Sequence, residues 1–157
     1  MPDTGKEPMK ATDYLKKQHK DVMKLFKEVE KTEDTKGRKR LMGEIVSHLK
    51  VHTTIEEEIF YPAVREIGTE KVEEQMLEAV EEHHVVDLVL AELPQVDPAA
   101  DTFEAKITVL RELIEHHVEE EQDEVFPMAE KRLGKERIDE LGEQLEERSE
   151  ALESKAA

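Results

Sequence analysis

The stretch HTTIEEEIFYP, residues 52–62, is the key to the chain, and HVEEEQDEVFP, residues 117–127, repeats it sixty-five positions later. In both copies a glutamate follows the histidine by four residues, and an aromatic–proline pair closes the segment. Residues four apart on an α-helix lie on one face, about 6 Å apart along the axis. Each copy can therefore direct one imidazole and one carboxylate toward a single point.

The composition indicates a single helical domain. The chain has 157 residues, of which 40% are charged and only 4% are aromatic, and Glu, Lys and Arg lose little side-chain freedom in helices. No run of β-branched and aromatic residues between turn signals predicts a strand. We expect an all-α fold, an up-down-up-down antiparallel four-helix bundle with a short extra C-terminal helix.

The charge and the missing cysteines exclude several functions. A net charge of -17 disfavours nucleic acid and anionic membrane surfaces as partners, because both repel an acidic protein. Without cysteine there is no disulfide, thiolate metal site or cysteine nucleophile. No long apolar run or signal peptide is recognised, so a cytoplasmic location is expected. Nothing in the sequence specifies a protein partner.

Turn and composition signals divide the chain into three parts. Residues 1–10 lack an apolar period and are expected to form a mobile tail. Residues 11–134 contain the four helices of the bundle, and residues 135–157 form an amphipathic helix that packs on the bundle or frays.

Capping residues and prolines predict where individual helices begin and end. Thr12 or Asp13 is a good N-cap for the first helix. Pro62 is expected to bend or end the second helix, because it lacks an N–H and clashes with a carbonyl one turn back. Asp101 with Glu104 resembles a capping box at the start of the fourth helix.

The repeat also relates the first helix to the third. His19 and His83 are each followed by apolar residues at +3, +6, +7 and +10, whereas His84 gives a poorer match. Each half of the chain therefore supplies one histidine from its first helix and a His-x-x-x-Glu pair from its second.

The histidines and glutamates at these positions lie on inward helix faces and together could bind metal. Unpaired inward carboxylates are very costly, so a plain bundle explains the pattern poorly. Two bridging glutamates, two histidines per metal and an oxo or hydroxo bridge give each of two metals five ligands and an open position for a small ligand. Imidazole and carboxylate suit Fe, Mn, Zn or Co, and bridging carboxylates in a bundle favour iron. The candidate ligands are His19, His52, Glu56, His83, His117 and Glu121.

Neighbouring residues leave some alternatives open. His48 lies one turn before His52 and either supports a ligand or is an extra ligand. His84 and His116 point to the flanks, although His116 remains a rival to His117 on the fourth helix. Glu57 corresponds to Gln122 in the repeat, so its acid is not shared, and we interpret Glu57 as a surface residue. Tyr61 is expected to cap the core below the site, where it could also be redox-active.

The same residues resemble the haemerythrin-like proteins, also called HHE cation-binding domains. The resemblance covers about residues 11–134 and implies an up-down-up-down four-helix bundle around a non-haem diiron site. It implies the six candidate residues as iron ligands, with the two glutamates bridging. The motifs that carry it are His19, His52-x-x-x-Glu56 with Tyr61-Pro62, Glu82-His83, and His117-x-x-x-Glu121 with Phe126-Pro127.

Two departures from the oxygen-carrying members of that family bear on function. Those proteins use five histidines, two of them four apart on the third helix, whereas here Asp87 stands four residues after His83. They also place the acid of the fourth helix five residues after its histidine, where this chain has Gln122. A missing fifth histidine leaves more room for peroxide, NO or a second solvent molecule, with Asp87 able to support the site from nearby.

The expected function is therefore that of a diiron protein that binds or senses O₂, NO or a related small oxidant. A redox enzyme of the same site, with catalase-like disproportionation of peroxide, is the second hypothesis. Iron buffering and a metal-free interaction bundle are the remaining alternatives.

Overall fold

Five helices and no strands make up the described part of the chain, residues 9–156 of a computed structural model. The all-α prediction is confirmed. No helix within these residues is long and apolar enough to cross a membrane. The helices are α1 (Ala11–Lys31), α2 (residues 35–65), α3 (Glu70–Glu92), α4 (residues 101–133) and α5 (Lys135–Ala156).

Two of the helices, α2 and α4, each contain one π-helical turn. The turns cover Glu56–Phe60 and Glu121–Val125, so each begins at the glutamate of a repeated His-x-x-x-Glu pair. At the end of each turn the backbone N–H of Tyr61 or Phe126 donates to the carbonyl five residues before it. The wider turn inserts one extra residue into the helix.

A π turn lies just before Pro62, the residue near which α2 is expected to bend or stop. The helix continues through Tyr61–Arg65, because the proline directly follows a turn whose carbonyls have already left the α-helical pattern. The missing N–H and the ring of Pro62 therefore disturb the helix less than they would in a regular α-helix.

The first helix begins earlier than predicted. Ala11 is its first residue, and Lys10 precedes it without a side-chain cap, so neither Thr12 nor Asp13 is the N-cap. Thr12 is fully buried and its hydroxyl donates to Glu130 of α4. The Thr12 side chain therefore takes part in tertiary packing rather than in capping the helix.

The capping box predicted for α4 is also absent. Asp101 is the first residue of the helix, and Ala100 occupies the cap position without a side-chain hydrogen bond. Glu104 pairs with Arg38 at 2.6 Å instead. Both acids still lie in the first turn, where the helix dipole favours negative charge.

Four helices form a closed ring in which α1 and α3 each pack against both α2 and α4. The core of this ring has two apolar clusters, and the histidine positions of every helix fall between them in sequence. One cluster includes Leu15, Ile55, Met76 and Val125, and the other includes Val22, Leu49, Val86 and Ile114.

The last helix, α5, has 22 residues within the segment 135–157 predicted as an amphipathic helix, and it packs on α1, α2 and α4. Gly142 faces the chain just before α1, since a Cβ at this position would lie 2.1 Å from the carbonyl oxygen of Met9. Residues 1–8 of the predicted mobile tail lie outside the described residues. The apolar side chains that α5 buries are Ile138, Leu141 and Leu145.

Candidate metal centre

The six predicted ligands meet in a polar layer between the two apolar clusters. Helices α1 and α3 each supply one histidine, and α2 and α4 each supply a histidine and a glutamate. Every one of the six side chains belongs to a residue at most 5% exposed. The structure brings together His19, His52, Glu56, His83, His117 and Glu121.

One group of donors combines α1, α2 and α4. His19, His52, Glu56 and Glu121 each offer a ligand atom, and these atoms lie within 4.8 Å of one another. His19 Nε2 is 3.0 Å from Glu121 Oε1, and His52 Nε2 is 3.0 Å from Glu56 Oε1.

A second group lies beside the first. His83 Nε2 is 3.2 Å from Glu56 Oε1, and His117 Nε2 is 3.4 Å from Glu121 Oε1. Glu56 therefore contacts His52 and His83, while Glu121 contacts His19 and His117. Both carboxylates lie between two pairs of imidazoles, which is the position that bridging ligands require.

The outer nitrogen of every imidazole in the layer faces an oxygen acceptor. Because a carboxylate or amide oxygen can only accept, each Nδ1 donates its hydrogen, and in the neutral imidazole the Nε2 lone pair faces inward. Metal-binding histidines are held in the same way. The four pairs are His19 with Gln122 (3.1 Å), His52 with Gln18 (2.6 Å), His83 with Glu57 (2.8 Å) and His117 with Glu82 (3.1 Å).

Glu57 is exposed, as predicted for a surface residue, and it also contacts the centre. Its side chain is 37% exposed, but its carboxylate accepts a hydrogen bond from His83. Its repeat counterpart Gln122 accepts from His19 in the matching place. The two repeats thus share a hydrogen-bond acceptor at this position rather than an acid. Comparing the charges of Glu57 and Gln122 does not reveal this shared role.

Tyr61 contributes a hydroxyl to the centre as well as filling the core. Its oxygen lies 2.9 Å from Glu121 Oε2, 3.3 Å from Glu56 Oε1, 3.2 Å from His83 Nε2 and 3.1 Å from His117 Nε2. Burial, together with the negative charges of the two glutamates, raises the pKa of Tyr61 well above its usual value. The side chain is therefore a neutral phenol that can donate its hydrogen.

The counterpart of Tyr61 in the repeat, Phe126, has no such group. Its ring stacks on the imidazole of His19, with centroids 5.8 Å apart and planes 7° from parallel. One half of the centre is thus closed by a hydrocarbon ring and the other half by a phenol.

In the metal-free protein, protonated histidines pair with the negatively charged glutamates of the centre. Burial alone would lower the pKa of His83, but hydrogen bonds to Glu56 and Glu57 outweigh burial and raise it to about 9. Burial likewise opposes protonation of His117, and the charge of Glu121 raises its pKa well above the usual value. Burial would raise the pKa of Glu56, yet His52 and the other neighbours hold it well below its usual value.

The inward-facing nitrogen and oxygen atoms of the centre have the properties expected of metal ligands. Within the described residues, the buried Glu56 Oε2 has no hydrogen-bond partner, and His52 Nε2 lies 3.0 Å from Glu56 Oε1 without forming a hydrogen bond, which is costly for buried polar groups. His83 Nε2 and His117 Nε2 are 3.1 Å apart, so their lone pairs repel unless a proton or cation lies between them. Imidazole with carboxylate is a donor set for first-row transition metals, and the residues fit a metal centre.

Two residues that were expected to support the site do not contact it. His48 is partly buried, and its Nδ1 has no partner within the described residues. Burial, reinforced by the charge of His52, lowers the pKa of His48 to about 4. Asp87 is exposed and lies in an outer groove beside Thr53 and Thr54.

The rival histidines lie outside the polar layer. The side chain of His116 is 63% exposed and pairs with Glu120 at 2.9 Å, and His84 is exposed. His117 and His83 occupy the buried positions of their helices, which agrees with the helical phase of the apolar residues around them.

A small cavity connects the centre with the surface between α3 and α4. It holds about 60 Å³, enough for a few water-sized molecules. Tyr61, His117 and Glu121 line its inner part. The remaining acids that line it are Glu78, Glu82, Glu120 and Glu124.

Comparison with known proteins matches residues 10–129 to the hemerythrin HHE cation binding domain. A DNA nickase of Nostoc sp. is 24% identical over 136 residues, which are 87% of this chain but 38% of that protein. The uncharacterized protein Rv2633c of Mycobacterium tuberculosis is 27% identical over 146 residues, 92% of this chain and 88% of that one.

A solved structure shows the same fold. It is the crystal structure of a hemerythrin HHE cation binding domain-containing protein from Mycobacterium kansasii, a homolog of Rv2633c. The TM-score is 0.82 at 24% sequence identity, and the match covers 94% of this chain and 90% of that one.

Proposed function

The chain belongs to the hemerythrin HHE cation-binding family, and from that premise we propose that it is a non-haem diiron protein that binds or senses a small oxidant such as O₂, NO or peroxide. The observation that carries this proposal is the pair of carboxylates, Glu56 and Glu121, that each contact imidazoles of both groups. A single metal ion would not need two shared glutamates between two histidine pairs.

The residues divide between two metal positions. His19 and His52 would hold one ion, and His83 and His117 would hold the other. Nitrogen and carboxylate donors without thiolate in a helical bundle favour iron. Iron at these positions would supply electrons and open coordination positions for a small ligand.

We also infer that the ring of four helices has up-down-up-down topology. The connections are short, with residues 32–34 between α1 and α2 and residues 66–69 between α2 and α3. Short connections favour antiparallel neighbours, and this direction lets each helix present its ligand at the level of the polar layer.

The size of the cavity supports a ligand of two or a few atoms. About 60 Å³ beside Tyr61 and His117 admits O₂, NO or peroxide but no organic substrate of ordinary size. The position four residues after His83 is the exposed Asp87, so no fifth imidazole occupies the space. The Tyr61 hydroxyl can donate a hydrogen bond to a ligand bound there.

The second candidate, peroxide disproportionation, is favoured by Tyr61 in particular. One peroxide molecule takes up two electrons and two protons to give two waters, and a second gives up two electrons and two protons as O₂. These protons must be held close to the reacting oxygens. Tyr61 is a neutral phenol beside the cavity, within hydrogen-bond distance of two imidazoles and two carboxylates.

Anaerobic loading with Fe²⁺ tests the proposal. The protein should retain about two irons per chain after desalting, and O₂ evolution after addition of H₂O₂ would identify the enzyme rather than the binder. Tyr61→Phe is the matched variant, because it keeps the buried ring and removes the hydroxyl. It should keep its iron and lose roughly 10²-fold or more of any peroxide turnover. A folded protein that retains no iron would refute the proposal.

A further inference from the structure

The two halves of the metal centre match in geometry and differ in charge. At each of the four histidines an oxygen faces Nδ1, but in one half the oxygen belongs to a neutral amide and in the other half to a carboxylate. The amide pairs are His19 with Gln122 and His52 with Gln18, and the carboxylate pairs are His83 with Glu57 and His117 with Glu82.

The internal repeat shows that these partners occupy corresponding positions. Gln18 and Glu82 each stand one residue before a histidine of the centre, and Glu57 and Gln122 each stand one residue after a shared glutamate. The two halves therefore differ by an exchange of amide for acid at nearly the same shape. A difference in metal binding between the halves would come from charge rather than from a different arrangement of ligands.

A carboxylate partner makes an imidazole a stronger metal ligand than an amide partner does. When the acceptor of the Nδ1 hydrogen is negatively charged, more electron density remains on Nε2, and the negative charge also attracts the cation. The side chains of Glu57 and Glu82 are 37% and 24% exposed, so solvent screens their charges only in part.

We propose that the two metal positions are inequivalent and that the position held by His83 and His117 binds the first divalent cation. This position also binds the cation more tightly, because Glu57 and Glu82 accept hydrogen bonds from its imidazoles. This inference rests on the proposed two-metal function. Glu57 and Glu82 are positioning residues in this account, since they act through the histidines rather than on the ion. The cavity that opens beside His117 and Tyr61 gives this position direct access for an incoming ion.

Zn²⁺ titration of the metal-free protein, in competition with a coloured chelator, tests the order of filling. Zn²⁺ has no redox chemistry, so affinity is read without turnover. Two steps are expected, with dissociation constants that differ by roughly 10- to 100-fold. His83→Ala should abolish the tighter step and leave the weaker one, and His52→Ala should do the reverse.

Isosteric variants separate the effect of charge from that of shape. In Glu57→Gln/Glu82→Gln, amide oxygens can still accept from both Nδ1 atoms, so the hydrogen bonds persist while the charges are lost. The tighter step should weaken by roughly 10- to 100-fold and approach the weaker one. The reciprocal variant Gln18→Glu/Gln122→Glu should tighten the weaker step and leave the other unchanged. Circular dichroism of each variant checks that it folds.

The outcomes distinguish this inference from the proposed function. Two unequal steps, with the tighter one lost in His83→Ala and weakened by the paired Glu→Gln exchange, would support it. Two equal steps, a tighter step lost in His52→Ala, or no response to the exchange would overturn it while leaving a two-metal protein. A folded protein that binds no cation would overturn the proposed function itself.

Discussion

At the scale of single residues, the partner of Nδ1 separates the histidines of the centre from the others. All four that face the polar layer have an oxygen acceptor on this atom. His48 is partly buried but its Nδ1 has no partner within the described residues, and His116 is exposed. A ligand histidine must be held in one orientation with one tautomer, so the outer hydrogen bond is as diagnostic as burial.

Substitution of the two adjacent histidines of α4 tests this distinction. His117→Ala should reduce iron content and weaken metal binding at its position by at least about 10-fold, because a ligand is lost. His116→Ala should retain both ions, since it removes only an exposed pair with Glu120. Metal analysis after anaerobic loading measures both variants. Loss of iron in His116→Ala alone would show that the register of α4 is wrong.

His48 predicts a pH dependence of stability. Its pKa in the fold, about 4, lies below the ordinary value of 6.5, so between these pH values the unfolded chain binds more protons than the native protein. This contribution to stability is complete above pH 6.5 and is lost as the pH falls toward 4, by at most about 1.4 kcal/mol per pH unit.

Urea unfolding of the metal-free protein at several pH values measures this effect. His48→Gln removes the titrating group and should show a shallower loss of unfolding free energy between pH 6.5 and 4.5 than the unmodified chain. His84→Gln, at an exposed histidine, is the control for the substitution itself. Equal slopes for the three proteins would contradict the prediction.

The sequence predicted the six residues of the centre because helical phase and the internal repeat together place them on inward faces. The same phase could not identify Gln18, Glu57 or Glu82 as hydrogen-bond partners of the imidazoles. Each of them reaches a histidine of another helix, so its role depends on how neighbouring helices are turned toward each other. Periodicity along one chain segment contains no information about that rotation.

At the scale of elements, the π turns explain how a glutamate and an aromatic residue five positions later face the same centre. In a regular α-helix such residues lie about 140° apart round the axis. The wider turn returns Tyr61 to the face of Glu56, and its hydroxyl lies 3.3 Å from that carboxylate. Apolar periodicity assumes regular helices, so it predicts Tyr61 below the site and a bend or end of α2 near Pro62.

Two helical glycines predict opposite effects of the same substitution. Gly142→Ala should destabilise the protein by about 1–3 kcal/mol, because its Cβ would collide with the backbone before α1 and packed cores relax poorly. Gly43→Ala is the control, since a Cβ there meets nothing within 4 Å. It should stabilise α2 by about 0.5–1 kcal/mol, because alanine has the higher helix propensity. Urea unfolding measures both, and a stabilising Gly142→Ala would show that α5 does not pack closely on the start of α1.

At the scale of the whole molecule, the polar layer divides the core and must be neutralised for the two apolar clusters to close over it. Without a metal, imidazoles with raised pKa values balance the buried carboxylates. A bound metal ion would replace those protons with a stronger and more permanent positive charge. The four-helix ring was predictable from apolar periodicity, whereas the packing of α5 on the bundle was not, because its apolar residues are sparse along a highly charged helix.

Removal of metal should therefore lower the stability of the whole fold. At a free cation concentration of 100 times the dissociation constant, binding contributes about 2.7 kcal/mol, or a rise of roughly 5–10 °C in the melting temperature for a chain of this size. Thermal unfolding with excess Zn²⁺ and with chelator compares the two states. The double variant His52→Ala/His117→Ala should show no difference between them. An unmodified chain that also melts at the same temperature in both would contradict a role of metal in holding the core.

The glutamates at the mouth of the cavity would also make the proposed oxidant site selective for the charge of its ligand. Their field extends about 8 Å into a solution of physiological ionic strength, so it acts on an oxidant before any contact is made. Neutral molecules such as O₂, NO and H₂O₂ cross this field without cost, whereas superoxide and other anions are repelled. Added salt should accelerate reaction with anions and leave reaction with neutral oxidants unchanged, so the two classes can be told apart by ionic strength alone.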